Sequence, residues 1–155
     1  MRVALLLLAC GAVFAQTNVL TVTPPARLQA KRGDSAAVKV HLQMQAGYHS
    51  NSNTPSDEYL IPLKLTWPSA PLEATEVVYP KASMEKYEFS PKPLSVFSGD
   101  FEVTTKFKVP ANAPTGMAIV TGKLRYQACN DRLCLPPKTL EVPLTVDIRW
   151  RRTRS

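Results

Sequence analysis

The chemistry-bearing residues of this chain are its cysteines, and two of the three lie together in Tyr126-Gln127-Ala128-Cys129-Asn130-Asp131-Arg132-Leu133-Cys134-Leu135-Pro136-Pro137. Cys129 and Cys134 are close enough in sequence to form a disulfide across a short turn, and Asn130-Asp131 is turn chemistry. Such a pair is either a hairpin clip or a redox centre. Closing a loop of about six residues removes little entropy from the unfolded chain, roughly 2 kcal/mol. Sandwich domains that use a disulfide for stability more often join distant strands across the core. Both readings stay open on these residues alone. A zinc or copper site is a weaker third option, because His41 and His49 stand at no ligand-like spacing from the pair. His41 is expected on the polar face of a strand and His49 in a turn. Nothing in the sequence calls for a cofactor.

The third cysteine, Cys10, falls in the N-terminal run. Arg2, the apolar stretch Val3 to Phe14 and the small residue Ala15 describe a secretory signal peptide over residues 1–15, cut after Ala15. Leu7-Leu8-Ala9-Cys10 also resembles a lipoprotein processing site, the minority reading, since cutting there leaves Gly11 to Phe14 apolar in the mature chain. Export implies an oxidising compartment, where a disulfide persists. No later segment is long and apolar enough to span a bilayer. The expectation is one exported domain over residues 16–155, large enough to build its own hydrophobic core.

The formal charge of the full chain is +7. Much of the excess sits in a basic tail from about residue 149, Arg149-Trp150-Arg151-Arg152-Thr153-Arg154. A solvated terminus is the favoured reading, with peripheral contact to anionic lipid the alternative. Nucleic acid is not an expected partner, because no basic face is interleaved with aromatics.

The elements that must position the cysteines read as strands. The chain has 14 prolines, spread so as to interrupt every stretch where a long helix would fit. Alternation with period two runs through Val19–Thr23, Ala37–Met44, Phe101–Val109, Ala118–Tyr126 and Leu140–Ile148, and Tyr59–Trp67 is strand-like around Pro62. Gly33-Asp34, Asn53-Thr54-Pro55, Ser98-Gly99-Asp100 and Asn112-Ala113-Pro114 supply turns. Seven or so short strands predict an all-β fold, an immunoglobulin-like antiparallel β-sandwich. The cysteine pair is placed at the end of a hairpin, with the strand that starts near Ala118 running on to Cys129 and a second strand starting near Thr139.

Tyr-Gln-Ala-Cys-x4-Cys-x-Pro-Pro near the end of such a sandwich resembles the N-terminal domain of the thiol:disulfide interchange protein DsbD family. Gly47-Tyr48-His49-Ser50-Asn51-Ser52 resembles that family's early segment. Tyr79-Pro80, Tyr87-Glu88-Phe89 and Val96-Phe97-Ser98-Gly99 resemble its middle portion. The resemblance implies a cysteine pair that takes electrons from a membrane-linked donor and reduces oxidised periplasmic proteins; a helper in cytochrome c maturation is a third, weaker option with the same chemistry. It implies that Cys134 exchanges with partner proteins and that Cys129 resolves the mixed disulfide. It implies a covering loop with Phe89, or else Tyr87, at its tip. Tyr126 and Tyr48 are candidates for the walls of the site. The family's full reductase continues into a membrane domain and a thioredoxin-like domain, neither of which this sequence contains. The resemblance therefore implies that electrons come from a separate membrane protein or thioredoxin-like protein. The competing expectation is a non-enzymatic binding module, an exported sandwich whose disulfide is a structural clip.

Overall fold

The computed structural model describes residues 18–151. The signal-peptide reading, the Cys10 alternative and the last four residues of the basic tail lie outside the described residues. Twelve strands follow in chain order: β1 (Leu20–Thr23), β2 (Leu28–Lys31), β3 (Ser35–Met44), β4 (His49–Asn51), β5 (Lys64–Thr66), β6 (Glu73–Val78), β7 (Ser83–Glu85), β8 (Leu94–Phe97), β9 (Asp100–Lys108), β10 (Gly116–Tyr126), β11 (Ala128–Cys129) and β12 (Lys138–Arg149). They form three four-stranded sheets, in the orders β1-β3-β9-β6, β2-β12-β10-β5 and β11-β4-β8-β7. Every pairing is antiparallel except β2 with β12. The fold is an all-β, immunoglobulin-like sandwich.

The first two sheets owe their order to alternation. In β3, Val38, Val40, Leu42 and Met44 are buried while Lys39, His41 and Gln43 face solvent. In β12, Val142, Leu144, Val146 and Ile148 turn inward in the same rhythm. Because side chains alternate along a strand, each sheet offers one apolar face. The two faces meet around Leu20, Leu42, Leu65, Val103 and Leu124 at one end, and Phe107, Val120 and Ile148 at the other. Each buried aliphatic side chain contributes about 1.5–3 kcal/mol. Trp67 touches both clusters, set edge-on to Phe107 at 5.2 Å with its Nε1–H donating to Thr105 Oγ1 at 2.9 Å. Its ring lies so close over Gly122 that a Cβ there would stand 2.9 Å from Cε3.

The third sheet is built differently. Its strands are two to four residues long, and β4 is buried at every position although it reads His-Ser-Asn. Some polar groups there are matched by tertiary partners. Ser52 and Ser95 share a hydrogen bond of 2.7 Å, and Asn51 Nδ2 donates to the Ile61 carbonyl at 3.1 Å.

Three expectations need correction. Tyr59–Trp67 is not one strand: only Lys64–Thr66 pairs, Tyr59 is 78% exposed in a turn closed by Leu60 N–H to the Asp57 carbonyl, and Pro62 has no N–H to give a ladder. The strand count is twelve, because short buried strands carry no alternation to read. The strand starting near Ala118 does not run on to Cys129. It ends at Tyr126, Gln127 interrupts it, and β11 passes to the third sheet beside β4. The basic end is partly tied down, with the Arg32 guanidinium 3.9 Å over the Trp150 ring and Arg151 reaching Asp34 at 3.7 Å.

Candidate functional site

Cys129 and Cys134 are joined in a disulfide. The turn that makes this possible is set by Asn130. Its side-chain oxygen accepts from the Arg132 and Leu133 N–H groups at 2.9 and 2.8 Å, and its own N–H donates to the Leu133 carbonyl at 2.9 Å. An asparagine that caps two backbone donors in this way holds the four intervening residues in one tight turn. Outside the pair, Leu135 N–H donates to the Ala128 carbonyl at 2.8 Å, and Gln127 Nε2 donates to the Leu135 carbonyl at 3.2 Å.

The two sulfurs belong to unlike environments. Cys129 is 2% exposed, in β11 against β4, whereas Cys134 lies in the exposed limb of the turn, next to Leu133, itself 52% exposed. Arg132 and Asp131 are both exposed beside them.

An aromatic column stands against the buried cysteine. His49 is the direct cross-strand partner of Cys129. Its ring stacks on Tyr87 at 4.1 Å between centroids, and Tyr87 stacks on Phe89 at 5.4 Å. Tyr87 and Phe89 are carried by the loop at 86–93, between β7 and β8. The loop folds on itself: Lys86 Nζ donates to the Ser90 carbonyl, Ser90 N–H to the Tyr87 carbonyl at 3.1 Å, and Ser90 Oγ to the Lys92 carbonyl at 2.7 Å. Its far foot is fixed by Lys92 to Asp57 at 2.7 Å. Phe89 remains 46% exposed at the top of the column.

Beneath this loop lies a cleft of about 250 Å³ lined by Tyr48, His49, Glu85, Tyr87 and Asp131 among others. Gly47, with φ 82°, makes the turn that delivers Tyr48 and His49 to it. Tyr87 donates its hydroxyl proton to Glu85 Oε2 at 2.8 Å. Burial, that hydrogen bond and the Glu85 charge together hold the phenol well above its ordinary range. Burial pushes the His49 imidazole below its ordinary value, opposed in part by the Glu85 charge.

The structure thus brings Cys129, Cys134, Tyr87, Phe89 and Tyr48 to one end of the molecule. Tyr126 is placed otherwise: it is fully buried in the main core with Leu20 and Leu124, and burial pushes its phenol upward. His49 is not in a turn, as the sequence suggested, but is the first residue of β4 and 3% exposed. His41 is exposed on β3, 3.8 Å from Asp100. Sequence reasoning missed His49 and Glu85 as site residues. The Gly-Tyr-His segment was visible, but nothing in the local pattern reveals that it lies opposite Cys129.

A family model described as "Thiol:disulfide interchange protein DsbD, N-terminal" matches residues 16–146. The chain belongs to this family. No curated protein sequence matches it. Among solved structures, the N-terminal periplasmic domain of ScsB from Proteus mirabilis aligns with a TM-score of 0.55 at 11% identity, covering 81% of this chain and 44% of that one. The chain thus spans less than half of that protein's length, and at this identity the likeness is one of fold. A type I cohesin of OlpA from Clostridium thermocellum, in complex with a dockerin, aligns with a TM-score of 0.49 at 16% identity, covering 85% of this chain and all of that one. Membership places the chain in a thiol:disulfide interchange family, and the Cys129–Cys134 disulfide lies within the matched residues.

Proposed function

We propose that this DsbD-family domain carries reducing equivalents in the periplasm, from a membrane-linked or thioredoxin-like donor to oxidised envelope proteins. The observation that carries the reading is the unequal exposure of one disulfide: Cys134 open to a partner, Cys129 buried behind it. Exchange requires a thiolate to attack along the S–S axis, so the sulfur that meets partners must be reachable. In the reduced domain, the Cys134 thiolate attacks a client disulfide and one client sulfur leaves as a thiol. Cys129 then attacks Cys134, closing the internal disulfide and releasing the second client sulfur. Two electrons and two protons pass to the client, and the donor restores the dithiol by the reverse sequence.

Phe89 and Tyr87 act in this reading as the tip and the inner face of a cover on the Cys129 side of the pair, one that yields to a partner. Tyr48 lines the cleft under that cover, while Tyr126 supports the site from the core. Cytochrome c maturation is one client pathway open to a reductant of this kind. Export through the leader at 1–15 puts the domain in the compartment where its clients are oxidised.

The test is the reduction potential of the Cys129–Cys134 pair, measured by equilibration against glutathione and dithiothreitol buffers. A value of roughly −120 to −270 mV, the range of exchange proteins, is expected. A value below about −300 mV marks a structural clip and replaces this reading with that of a binding module.

A further inference from the structure

Cys129 poses a problem that Cys134 does not. Resolution of a mixed disulfide needs the Cys129 thiolate, yet this sulfur belongs to a residue 2% exposed. Burial in apolar surroundings favours the neutral thiol, and solvent base has little access to it. An ordinary thiol is only about 3% ionised at pH 7, and a buried one less. The proton needs an acceptor inside the protein.

One side chain stands in the right place. His49 lies directly opposite Cys129 in the β4–β11 pair, and residues so paired project from the same face with Cβ atoms about 4.5–5.5 Å apart. It is 3% exposed, and its Nε2 is buried with no hydrogen-bond partner among the described residues. Buried polar atoms are almost always paired, so an orphan beside a disulfide points to a partner that exists in another state of the site. The ring cannot swing freely, because Tyr87 is stacked on it.

We propose that His49 is the proton acceptor for Cys129 in the resolving step. The inference rests on the reading that partners are held on Cys134. With a partner sulfur bonded to Cys134, the neutral imidazole takes the proton of the Cys129 thiol. The thiolate attacks Cys134 Sγ, the Cys129–Cys134 bond forms, and the bond from Cys134 to the partner breaks. The electron pair leaves with the partner sulfur, which departs as a thiolate and takes a proton, so that the imidazolium returns to neutral through solvent. In reduction by the donor, the imidazolium gives its proton back to Cys129.

The groups facing the ring suit this cycle. Burial keeps the imidazole neutral at rest, as a base must be, and the Glu85 carboxylate on β7 steadies the imidazolium when it forms. From the loop at 86–93 comes the Tyr87 phenol, already committed as donor to Glu85. The cysteine turn contributes Asp131, a second anion at the cleft, and β4 is preceded by Tyr48. Neighbouring β8, Leu94–Phe97, brings no titratable group. The other histidine, His41, is on a different sheet and plays no part.

The experiment mixes the reduced protein with 5,5′-dithiobis(2-nitrobenzoate) in a stopped-flow instrument at pH 5–9. Attack by Cys134 releases the first thionitrobenzoate, and resolution by Cys129 releases the second. His49→Gln is expected to leave the first phase unchanged, with a cooperative circular dichroism melt reporting intact folding. It is expected to slow the second phase about tenfold at pH 7 and to move its pH limb upward by about one unit or more, toward that of an unassisted thiol. A second phase with the wild-type rate and pH profile overturns the proposal. Should the variant fail to fold, the His49 ring is titrated by NMR in the oxidised and reduced wild type. Titration curves that differ between the two states support the coupling, and identical curves overturn it. A wild type that releases only one thionitrobenzoate removes the resolving role of Cys129, and with it this inference. The reduction potential separately decides whether the pair exchanges at all.

Discussion

The long-stranded sandwich and the small third sheet solve opposite problems within one chain. In β3, β9, β10 and β12 the inward positions are mostly aliphatic or aromatic, the polar exceptions being Thr105, which accepts from Trp67 Nε1, and the Tyr126 hydroxyl, which has no partner among the described residues. In and beside β4 and β8 the buried set includes His49, Ser50, Asn51 and Ser95, with Ser52 just past β4. Some of these are satisfied by partners far along the chain; His49 Nε2 and Ser50 Oγ are not. A region that buries polar groups and leaves some unpaired is not optimised for stability alone. The contrast assigns stability to the periodic strands and sets the exchange proposed above beside the sheet that lacks periodicity.

That separation can be broken from either side. The largest effect is expected at the exposed sulfur. Cys134→Ser should reduce exchange to about background, because the thiolate is the nucleophile. Its stability loss, read by urea melts, should be only roughly 2 kcal/mol for so short a loop. Cys129→Ala should instead accumulate mixed disulfides, visible on non-reducing gels. The opposite cut is Leu124→Ala in the main core, expected to cost about 2–5 kcal/mol while leaving the exchange rate of the folded protein unchanged.

Gly122→Ala is expected to cost about 1–3 kcal/mol, since the new methyl must displace the Trp67 ring, and a shift in tryptophan emission should accompany the lower melting point. Phe89→Ala sharpens the contrast further. Removing a side chain that is 46% exposed should change stability by less than about 1 kcal/mol. The reaction of the reduced protein with a small alkylating reagent should nonetheless quicken. The smallest effect is a pH dependence of stability. Burial lowers the folded-state pKa of His49 below its unfolded value, so the unfolded chain binds more protons as the solution is acidified. The stabilisation is present above the unfolded value near 6.5 and is lost as pH falls below it. Melts of wild type and His49→Gln between pH 7.5 and 5 should therefore converge on acidification.

The same division governs what the sequence reveals. The alternation of Ala37–Met44, Phe101–Val109, Ala118–Tyr126 and Leu140–Ile148 states the sandwich openly, because period two is the direct trace of a half-buried strand. The cysteine turn was legible from Asn130-Asp131, and the loop at 86–93 from its charges and prolines. The third sheet was not, since strands of two to four residues are too short to show a period, and a buried His-Ser-Asn run imitates a loop. Gly47 just before it strengthens the imitation. The change of sheet at Gln127 was likewise hidden, because Ala128-Cys129 continues the apolar run of β10 while pairing elsewhere. Tyr59–Trp67 erred in the other direction, its apolar content serving contacts of an irregular segment rather than a ladder.

The unequal placement of the two sulfurs has a kinetic consequence. With Cys134 in the exposed limb and Cys129 enclosed, the exchange proposed above brings donor and client to one and the same atom. In that reading the domain has a single port, so loading and discharge exclude each other in time. Its turnover should follow a double-displacement rate law, with parallel lines in reciprocal plots when donor and client are varied together. An excess of either should inhibit by occupying the port out of turn.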